Sequence, residues 1–319
     1  LSSDQHAARS FDFMLANPPY GKSWKTDAER MASGKKKEIL DTRFNAATAD
    51  GEPLSMIPRS SDGQLLFLLN NISKMKQDTP LGSRIVEVHN GSSLFTGDAG
   101  SGESNARRYM IENDLVEAII ALPEKMFYNT GIGTFIWVLS NRKEERRKGK
   151  IQLIDATGIK TPLRKNMGEK NCELSPEQCA EIVRIFMAFE ESEVSRIFPN
   201  SEFGYWKVSV QQPLLDEQGN LALDKKGRIQ PDKAKADTEI IPFRYEGGIE
   251  AFMDAEVRPY APGAYIDPKA TKIGYELSFT KYFYKPVQLR PMEDIVADLK
   301  ALEKETDGML AEILGGIQG

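Results

Sequence analysis

A short apolar run that ends in two consecutive prolines constrains the fold of this chain more than any other feature. The residues Phe-Asp-Phe-Met-Leu-Ala at 11–16 are followed directly by Asn17, Pro18, Pro19 and Tyr20. Proline has no backbone N–H and disfavours regular structure in the residue before it, so strand pairing stops there. The pattern predicts a buried β-strand that ends at Asn17.

The bulk composition is typical of a folded globular chain. Its 319 residues are 40% hydrophobic and 28% charged, and this length suggests roughly two domains. The longest apolar stretches are much shorter than the ~20 residues of a membrane span, so we expect a cytoplasmic protein that does not enter a membrane. The two cysteines and two histidines have spacings that predict no metal site.

The order of the predicted elements indicates an α/β fold with a mostly parallel sheet. A polar segment at 21–63 has no sustained period, and a loop of this length is either functional or mobile. A helix follows it, with Ser60, Ser61 and Asp62 as candidate caps. Strands and helices then alternate, which is the pattern of an α/β layer.

Two later helices have recognisable starts. Ser104 is expected to cap the helix through residues 105–113. Ser175, which is followed by Pro176, is expected to cap the next helix. From residue 205 onward, alternating residues around two turn sequences predict short antiparallel strands.

The end of the chain predicts a coiled-coil-like helix. Its seam residues recur at alternating steps of four and three: Ile295, Leu299, Leu302, Thr306, Met309 and Ile313. The stripe fits a partner helix as well as packing on its own domain, and both interpretations stay open.

Asn-Pro-Pro-Tyr has a specific chemical use at the carboxyl end of a strand, where open α/β sheets bind ligands. The Asn17 side chain and the backbone held by the prolines offer carbonyl acceptors, with no competing N–H at Pro18 or Pro19. Two convergent acceptors fit an amino group with two hydrogens, and the Tyr20 ring offers a face for a base. An adenine amine held in this way directs its lone pair at an electrophilic methyl group. The alternative is a rigid turn without chemistry.

The segment FDFMLANPPYGKSW resembles the corresponding motif of amino-group DNA methyltransferases, and more of the chain agrees. The block at 94–143 and the sequences DTEIIPF and IGYELSFTKYFY resemble the modification subunit of type I restriction-modification systems. The resemblance runs from residue 11 to about residue 313. It implies a partial class I (Rossmann-like) methyltransferase sheet, followed by a mixed α+β region. It also implies N6-adenine methylation with S-adenosylmethionine.

The resemblance assigns roles by position. Asn17 and Pro18 would hold the adenine amino group, Pro19 would fix the turn, and Tyr20 would stack on the base. The partners it implies are DNA and a specificity subunit, with a second copy of this chain and a restriction subunit as further candidates.

The chain departs from that family at its start. A helical domain and a glycine-rich cofactor loop precede the motif in the family, whereas sixteen residues precede it here. We therefore expect the C-terminal part of a larger subunit, inactive alone, with its main cofactor loop upstream of Leu1 and its cofactor-binding residues unassigned. The expected division is a catalytic part at 1–160, a mixed α+β region at 161–290 and an assembly helix at 291–319. The glycine-rich stretch at 97–104 lacks the lysine of a phosphate loop.

The net charge of −5 opposes DNA binding by bulk electrostatics, so local basic surface or a basic partner is needed. Candidate phosphate contacts are Lys22, Lys25, Lys35, Lys36 and Lys37, with solvated loop charge as the alternative. Two other functions also stay open. They are methylation of a protein amide and an assembly module without activity.

Overall fold

The computed structural model divides the chain into two compact units. The first comprises residues 1–282 and the second residues 283–319. The described positions are 1–19, 21–35, 37–128, 130–215, 218, 220–223, 227–284 and 291–315. Within these ranges no helix is long and apolar enough to cross a bilayer. The division at residue 160 stays a prediction.

The strands of the first unit form two larger sheets and two hairpins. They are β1 (Phe13–Ala16), β2 (Asn45–Ala47), β3 (Pro53–Ser55), β4 (Arg84–Asn90), β5 (Val116–Ala121), β6 (Thr134–Ser140), β7 (Lys150–Asp155), β8 (Thr161–Met167), β9 (Lys170–Glu173), β10 (Ser195–Pro199), β11 (Gly204–Gln211), β12 (Asp237–Pro242) and β13 (Tyr265–Tyr275).

The α-helices vary from single turns to a long terminal helix. They are α1 (Lys25–Met31), α2 (Gln64–Ile72), α3 (Ser92–Phe95), α4 (Gly102–Glu112), α5 (Pro176–Ala188), α6 (Gly248–Phe252), α7 (Phe279–Phe283) and α8 (Met292–Gly315). Short 3₁₀ turns occur at Glu145–Arg147, Asn200–Phe203 and Lys233–Lys235, and a π-helical turn at Met253–Val257.

The six-stranded sheet is mixed, in the order β1-β4-β6-β5-β7-β10. β1 pairs with β4, and β5 with β7, in parallel. β6 is antiparallel to both β4 and β5, and β10 is antiparallel to β7. The expectation of a mostly parallel sheet is therefore wrong. Parallel neighbours need a long crossover, usually a helix, whereas the described residues between β5 and β6 contain no helix.

The strand β1 forms where the sequence predicts it, but it is not buried on both faces. It lies at one edge of the sheet, and Phe13 and Leu15 are 73% and 81% exposed, whereas Met14 is 9% exposed. Alternate residues of a strand point to the same side, so the two exposed side chains share one face. The expectation of a buried strand is wrong for this face, because the described residues leave it uncovered.

Side-chain caps fix the starts of α4 and α5. The Ser175 hydroxyl accepts a hydrogen bond from the Gln178 N–H, and the Gln178 side chain accepts one from the Ser175 N–H, which confirms the predicted cap. At α4 the cap is Ser101 and not Ser104, because the Ser101 hydroxyl accepts from the Ser104 N–H at 3.4 Å. Ser101 has the extended backbone that a cap requires, whereas Ser104 already lies in the first helical turn.

The three-stranded sheet, in the order β12-β11-β13, has a small core of its own. Its pairs are antiparallel. The short antiparallel strands predicted after residue 205 are present only in part, because the described residues around the two turn sequences form isolated antiparallel bridges, Leu215 with Leu221 and Leu223 with Ile229. The buried core residues of the three-stranded sheet are Val208, Val210, Ile241, Met253 and Ala264. The Arg107 guanidinium of α4 connects this sheet to the region after β4. It donates to the Tyr275 carbonyl at 2.6 Å and to the Ser93 carbonyl at 3.1 Å.

The polar segment at 21–63 contains α1 and the β2–β3 hairpin, so it is not a structureless loop. Trp24, which is 6% exposed, joins its two ends. The Trp24 backbone N–H donates to the Ser60 carbonyl at 3.0 Å, and its indole Nε1 donates to the Arg59 carbonyl at 2.9 Å. The segment therefore closes on itself.

The predicted terminal helix is present as α8. Its residues Ile295, Leu299 and Leu302 are 41%, 61% and 64% exposed. The side chains of Met309 and Ile313 lie outside the described residues, so the coiled-coil seam stays a prediction.

Candidate functional site

The Asn-Pro-Pro-Tyr motif lies at the carboxyl end of β1, as predicted. Asn17 and Pro19 are exposed, whereas Pro18 is buried. Tyr20 lies outside the described residues. Among the residues that the structure describes, none is hydrogen-bonded to the Asn17 side chain. The Asn17 carboxamide is therefore accessible to a ligand, and the buried Pro18 anchors the residue next to it.

The end of β1 lies beside the end of β4. The two strands are parallel and Ala16 is opposite Glu87, so Asn17 and Asn90 follow strand ends on the same side of the sheet. Open α/β sheets bind ligands at these carboxyl ends of their strands.

A polar cluster, here called the Asp62 cluster, lies at the carboxyl end of β4. It consists of Asp62, Gln64, Asn90 and Ser92. The Gln64 Nε2 lies 2.7 Å from Asn90 Oδ1 and 2.6 Å from Ser92 Oγ. The Asn90 backbone N–H donates to Gln64 Oε1 at 3.1 Å. Gln64 is 2% exposed, so water has little access to these bonds and the cluster is well fixed.

The Asp62 cluster reaches the motif through Gly21, the residue after Tyr20. Asp62 Oδ1 accepts from the backbone N–H of Gly21 and from that of Gln64, each at 3.2 Å. Asp62 thus accepts from one N–H at the start of α2. The N-cap of α2 is nevertheless Gly63, which has no capping side chain, so the predicted caps Ser60, Ser61 and Asp62 are wrong. The contact of Asp62 with a residue 41 positions away has no local signal in the sequence.

The predicted basic residues lie on the surface of the segment after the motif. Lys22, Lys25, Lys35 and Lys37 are exposed, and Lys36 lies outside the described residues. Within the described part of the chain these four lysines form no salt bridge. Their charges are therefore available to an anionic partner.

The strand beside the motif carries a buried acid–histidine pair that the sequence did not indicate. Glu87 and His89 are both fully buried, with His89 Nε2 2.8 Å from Glu87 Oε1. The Asn71 side-chain amide donates to Glu87 Oε2 at 2.7 Å. Because solvent does not reach either side chain, we interpret the pair as part of the structural support under the site.

Comparison with known proteins decides the family. A family model described as N-6 DNA Methylase matches residues 1–211, more than half of the chain. The chain belongs to the N-6 DNA methylase family.

Curated relatives of the chain include methylase subunits of type I restriction enzymes, which confirms the resemblance to type I modification subunits. The MjaIX methylase subunit of Methanocaldococcus jannaschii is 29% identical over 208 residues, which are 65% of this chain and 33% of that protein. The MpnII methylase subunit of Mycoplasma pneumoniae is 25% identical over 231 residues, which are 72% of this chain and 36% of that protein. The chain thus spans about a third of the length of these relatives.

A solved structure with a similar arrangement is the type I restriction-modification system methyltransferase subunit from Streptococcus thermophilus. It has a TM-score of 0.48 and 23% identity, and the match covers 62% of this chain and 36% of that chain. The mixed α/β sheet and the family membership confirm the predicted α/β fold class.

The glycine-rich stretch at 97–104 does not form a cradle for the cofactor of a methylase. A Cβ at Gly102 would lie 1.7 Å from the Ile57 carbonyl oxygen, and one at Gly97 would lie 2.4 Å from Ser101 Oγ. These glycines allow the start of α4 to pack closely against other parts of the chain, so they leave no space for a ligand.

The cavities near and far from the motif also differ from a cofactor pocket. The cleft beside the Asp62 cluster has a volume of about 10 Å³, which is too small for a base or a cofactor. A cavity of about 420 Å³ is lined by Leu115 and Asn141, at the opposite end of the sheet. Among the described residues no group of three or more His, Cys, Asp and Glu side chains could hold a metal ion.

Proposed function

We propose that this chain holds the target base in a DNA methyltransferase of a type I restriction-modification complex. The reaction would transfer a methyl group from S-adenosylmethionine to the N6 amino group of an adenine that has flipped out of the duplex. The observation that carries the proposal is the exposed Asn17 carboxamide at the carboxyl end of β1, in a chain of the N-6 DNA methylase family.

Asn17 would recognise the amine as a pair of donors. Its side-chain carbonyl accepts one N–H, and a backbone carbonyl held by the prolines accepts the other. A neutral hydrogen bond contributes only ~1 kcal/mol net, whereas alignment of two reactants contributes ~7–11 kcal/mol. The main effect of the acceptors is therefore to orient the nitrogen lone pair and not to increase affinity.

The proton of the amine has a direct route to water. The nitrogen becomes acidic only as it is methylated, so no strong base is needed at the site, and the exposed position of Asn17 gives water access. Extrusion of the base costs a few kcal/mol. Stacking on Tyr20, as the motif predicts, would offset part of this cost.

S-adenosylmethionine supplies an electrophilic methyl group when it is bound. The roles proposed for Asn17, Pro18 and Tyr20 are to hold and orient the base.

DNA and a specificity subunit are the proposed partners. Exposed Lys22 and Lys25 lie just after the motif and provide local positive charge in a chain of net charge −5. The helix α8, with exposed Ile295, Leu299 and Leu302, provides an apolar surface for subunit assembly. A second copy of the chain and a restriction subunit are further candidates for this cytoplasmic complex.

Substitution of Asn17 tests the proposal. The full-length subunit, assembled with its specificity partner, is assayed for transfer of labelled methyl groups to a duplex that carries the recognition sequence. Asn17→Ala removes an acceptor, and we expect labelling to fall about tenfold or more, because 1.36 kcal/mol of lost transition-state stabilisation is a factor of ten. Tyr20→Ala should lower labelling by a similar factor.

Asn113→Ala is the matched control. Asn113 is also an exposed asparagine, but it follows α4 at the opposite end of the sheet, so labelling should not change. Unchanged labelling by both Asn17→Ala and Tyr20→Ala would refute the assigned roles.

A comparison of DNA with a peptide as the molecule that receives the methyl group distinguishes the alternative functions. Labelling of a glutamine-containing peptide, but not of DNA, by the wild-type complex would identify a protein methyltransferase. A complex that assembles but labels neither acceptor would identify an assembly module.

A further inference from the structure

The turn that contains the motif has few fixed contacts with distant parts of the chain. At the described positions of residues 17–23, the hydrogen bond from the Gly21 N–H to Asp62 Oδ1, at 3.2 Å, is the single one to a distant residue. The next anchor along the chain is Trp24, whose N–H donates to the Ser60 carbonyl at 3.0 Å. Beyond the buried Pro18, the position of this turn therefore depends on the hydrogen bond to Asp62.

Asp62 is itself held on its other side. Its Oδ2 accepts from Gln64 Nε2 at 2.8 Å and from Ser92 Oγ at 2.9 Å. Ser92 begins α3, the single helical turn that follows β4, and the Ser92 N–H donates to Asn90 Oδ1 at 3.0 Å. The carboxylate thus joins the turn after β1 to the turn after the neighbouring strand.

The conformation of Gly21 is suited to this contact. Its φ is +66°, in the left-handed region that costs other residues about 1–2 kcal/mol. A Cβ at this position would have no atom within 4 Å, so glycine is not required for space. Glycine is therefore required for its backbone conformation, which presents the N–H to Asp62.

We propose that Asp62 is a positioning residue for the target-base site. Its carboxylate fixes Gly21, and through Gly21 it fixes the orientation of Asn17, without touching the base. This inference rests on the proposed function. The competing explanation is that Asp62 only accepts the Gln64 N–H at the start of α2, in which case its loss lowers stability and leaves the rate of methyl transfer unchanged.

The main test is the single-turnover rate of methyl transfer by the full complex, at saturating DNA and methyl donor, together with DNA affinity and the midpoint of thermal unfolding. Asp62→Ala should lower the rate by about tenfold to a hundredfold, because a displacement of ~1 Å in a site can reduce a rate ~10²-fold. DNA affinity should change little. Asp62→Asn keeps an oxygen acceptor for Gly21 and should recover most of the rate.

Ser175→Ala is the control for the loss of a side-chain hydrogen bond at the start of a helix. It removes the N-cap of α5, which contributes about 1 kcal/mol, and should lower the unfolding midpoint. The rate of methyl transfer should not change in this variant.

Gly21 provides a second test that leaves the hydrogen bond between Asp62 and the Gln64 N–H intact. Gly21→Val disfavours the left-handed backbone and should lower the rate in the same range as Asp62→Ala. Gly21→Asn tolerates this backbone better and should lower the rate less. The position is exposed with open space around it, so both variants should fold even if Asp62→Ala does not.

A double-mutant cycle separates positioning from an independent effect. Because Asp62 acts through Asn17, adding Asp62→Ala to Asn17→Ala should lower the rate by less than Asp62→Ala does alone. A wild-type rate in Asp62→Ala with a lowered unfolding midpoint, or fully additive effects in the cycle, would overturn the inference. A wild-type rate in Asn17→Ala would instead overturn the proposed function.

Discussion

The indole of Trp24 offers a quantitative test of how the segment at 21–63 is held beside the site. The ring is 6% exposed, and its Nε1 donates to the Arg59 carbonyl at 2.9 Å. A Cβ at Gly63 would lie 3.0 Å from the ring, so the two ends of the segment pack closely around it. Loss of the ring should release both ends.

The expected size of the effect follows from these contacts. Trp24→Ala removes the packed ring, and such changes cost ~3–5 kcal/mol, whereas Trp24→Phe keeps most of the packing and loses one hydrogen bond worth ~1 kcal/mol. Since 1.4 kcal/mol is a factor of ten, the open fraction of the segment should rise ~100-fold or more in Trp24→Ala and ~5-fold in Trp24→Phe.

Hydrogen exchange, measured by mass spectrometry on peptides that cover α1 and residues 57–63, reads this open fraction directly. Trp206→Ala is the matched control, because Trp206 packs against Phe243 in the three-stranded sheet, and α1 should exchange at its wild-type rate. Wild-type exchange of α1 in Trp24→Ala would refute the reasoning, and equal exchange in both Trp24 variants would show that ring packing contributes nothing.

Two further predictions concern charge. Lys22→Glu and Lys25→Glu should each weaken DNA binding by the full complex and lower the slope of log affinity against log salt by ~1. Arg184→Glu on α5 is the control and should leave this slope unchanged. Equal slopes in all three variants would exclude the phosphate contacts. The Lys74 ammonium, 2.5 Å from Asp4, holds the pKa of the Asp4 carboxyl below its ordinary value of 3.8. A carboxyl with a lowered pKa stabilises the fold at higher pH, and this stability is lost as the pH falls through the lowered pKa. Asp4→Asn should therefore lower the unfolding midpoint at pH 7, and the difference in midpoint from the wild type should shrink below pH 3.8. A difference in midpoint that stays constant with pH would contradict this.

Local signals in the sequence predicted the elements that depend on chain neighbours. The end of β1 follows from the missing N–H groups of Pro18 and Pro19, and the start of α5 follows from a serine cap with a reciprocal glutamine. The direction of β6 depends instead on how it pairs across the sheet. Nothing in the residues of β6 distinguishes a parallel neighbour from an antiparallel one, so this part of the topology could not be predicted.

The burial of β1 also depends on contacts that the local sequence does not determine. An apolar run predicts a strand, but what covers each face depends on elements far away in the chain. Phe13 and Leu15 point to the face that the described residues leave open, whereas Met14 points to the covered one. The sequence pattern therefore predicts the existence of the strand better than its environment.

In the candidate site too, some features are local in the sequence and others form only in the folded chain. The motif residues were recognisable because their chemistry is contained in four consecutive positions, whereas the contacts of Asp62 with Gly21 and Ser92 join residues 41 and 30 positions apart, which meet only in the folded chain. The sequence predicts Asp62 as a helix cap, but the N-cap of α2 is Gly63. The contact of Asp62 with Gly21 requires the two ends of the segment at 21–63 to lie together. An Asn-Pro-Pro-Tyr sequence followed by glycine is consequently not sufficient for the site. The same four residues without an acceptor for the glycine N–H should be a turn that lacks a fixed direction, and the rate of methyl transfer should depend on that acceptor as well as on the motif.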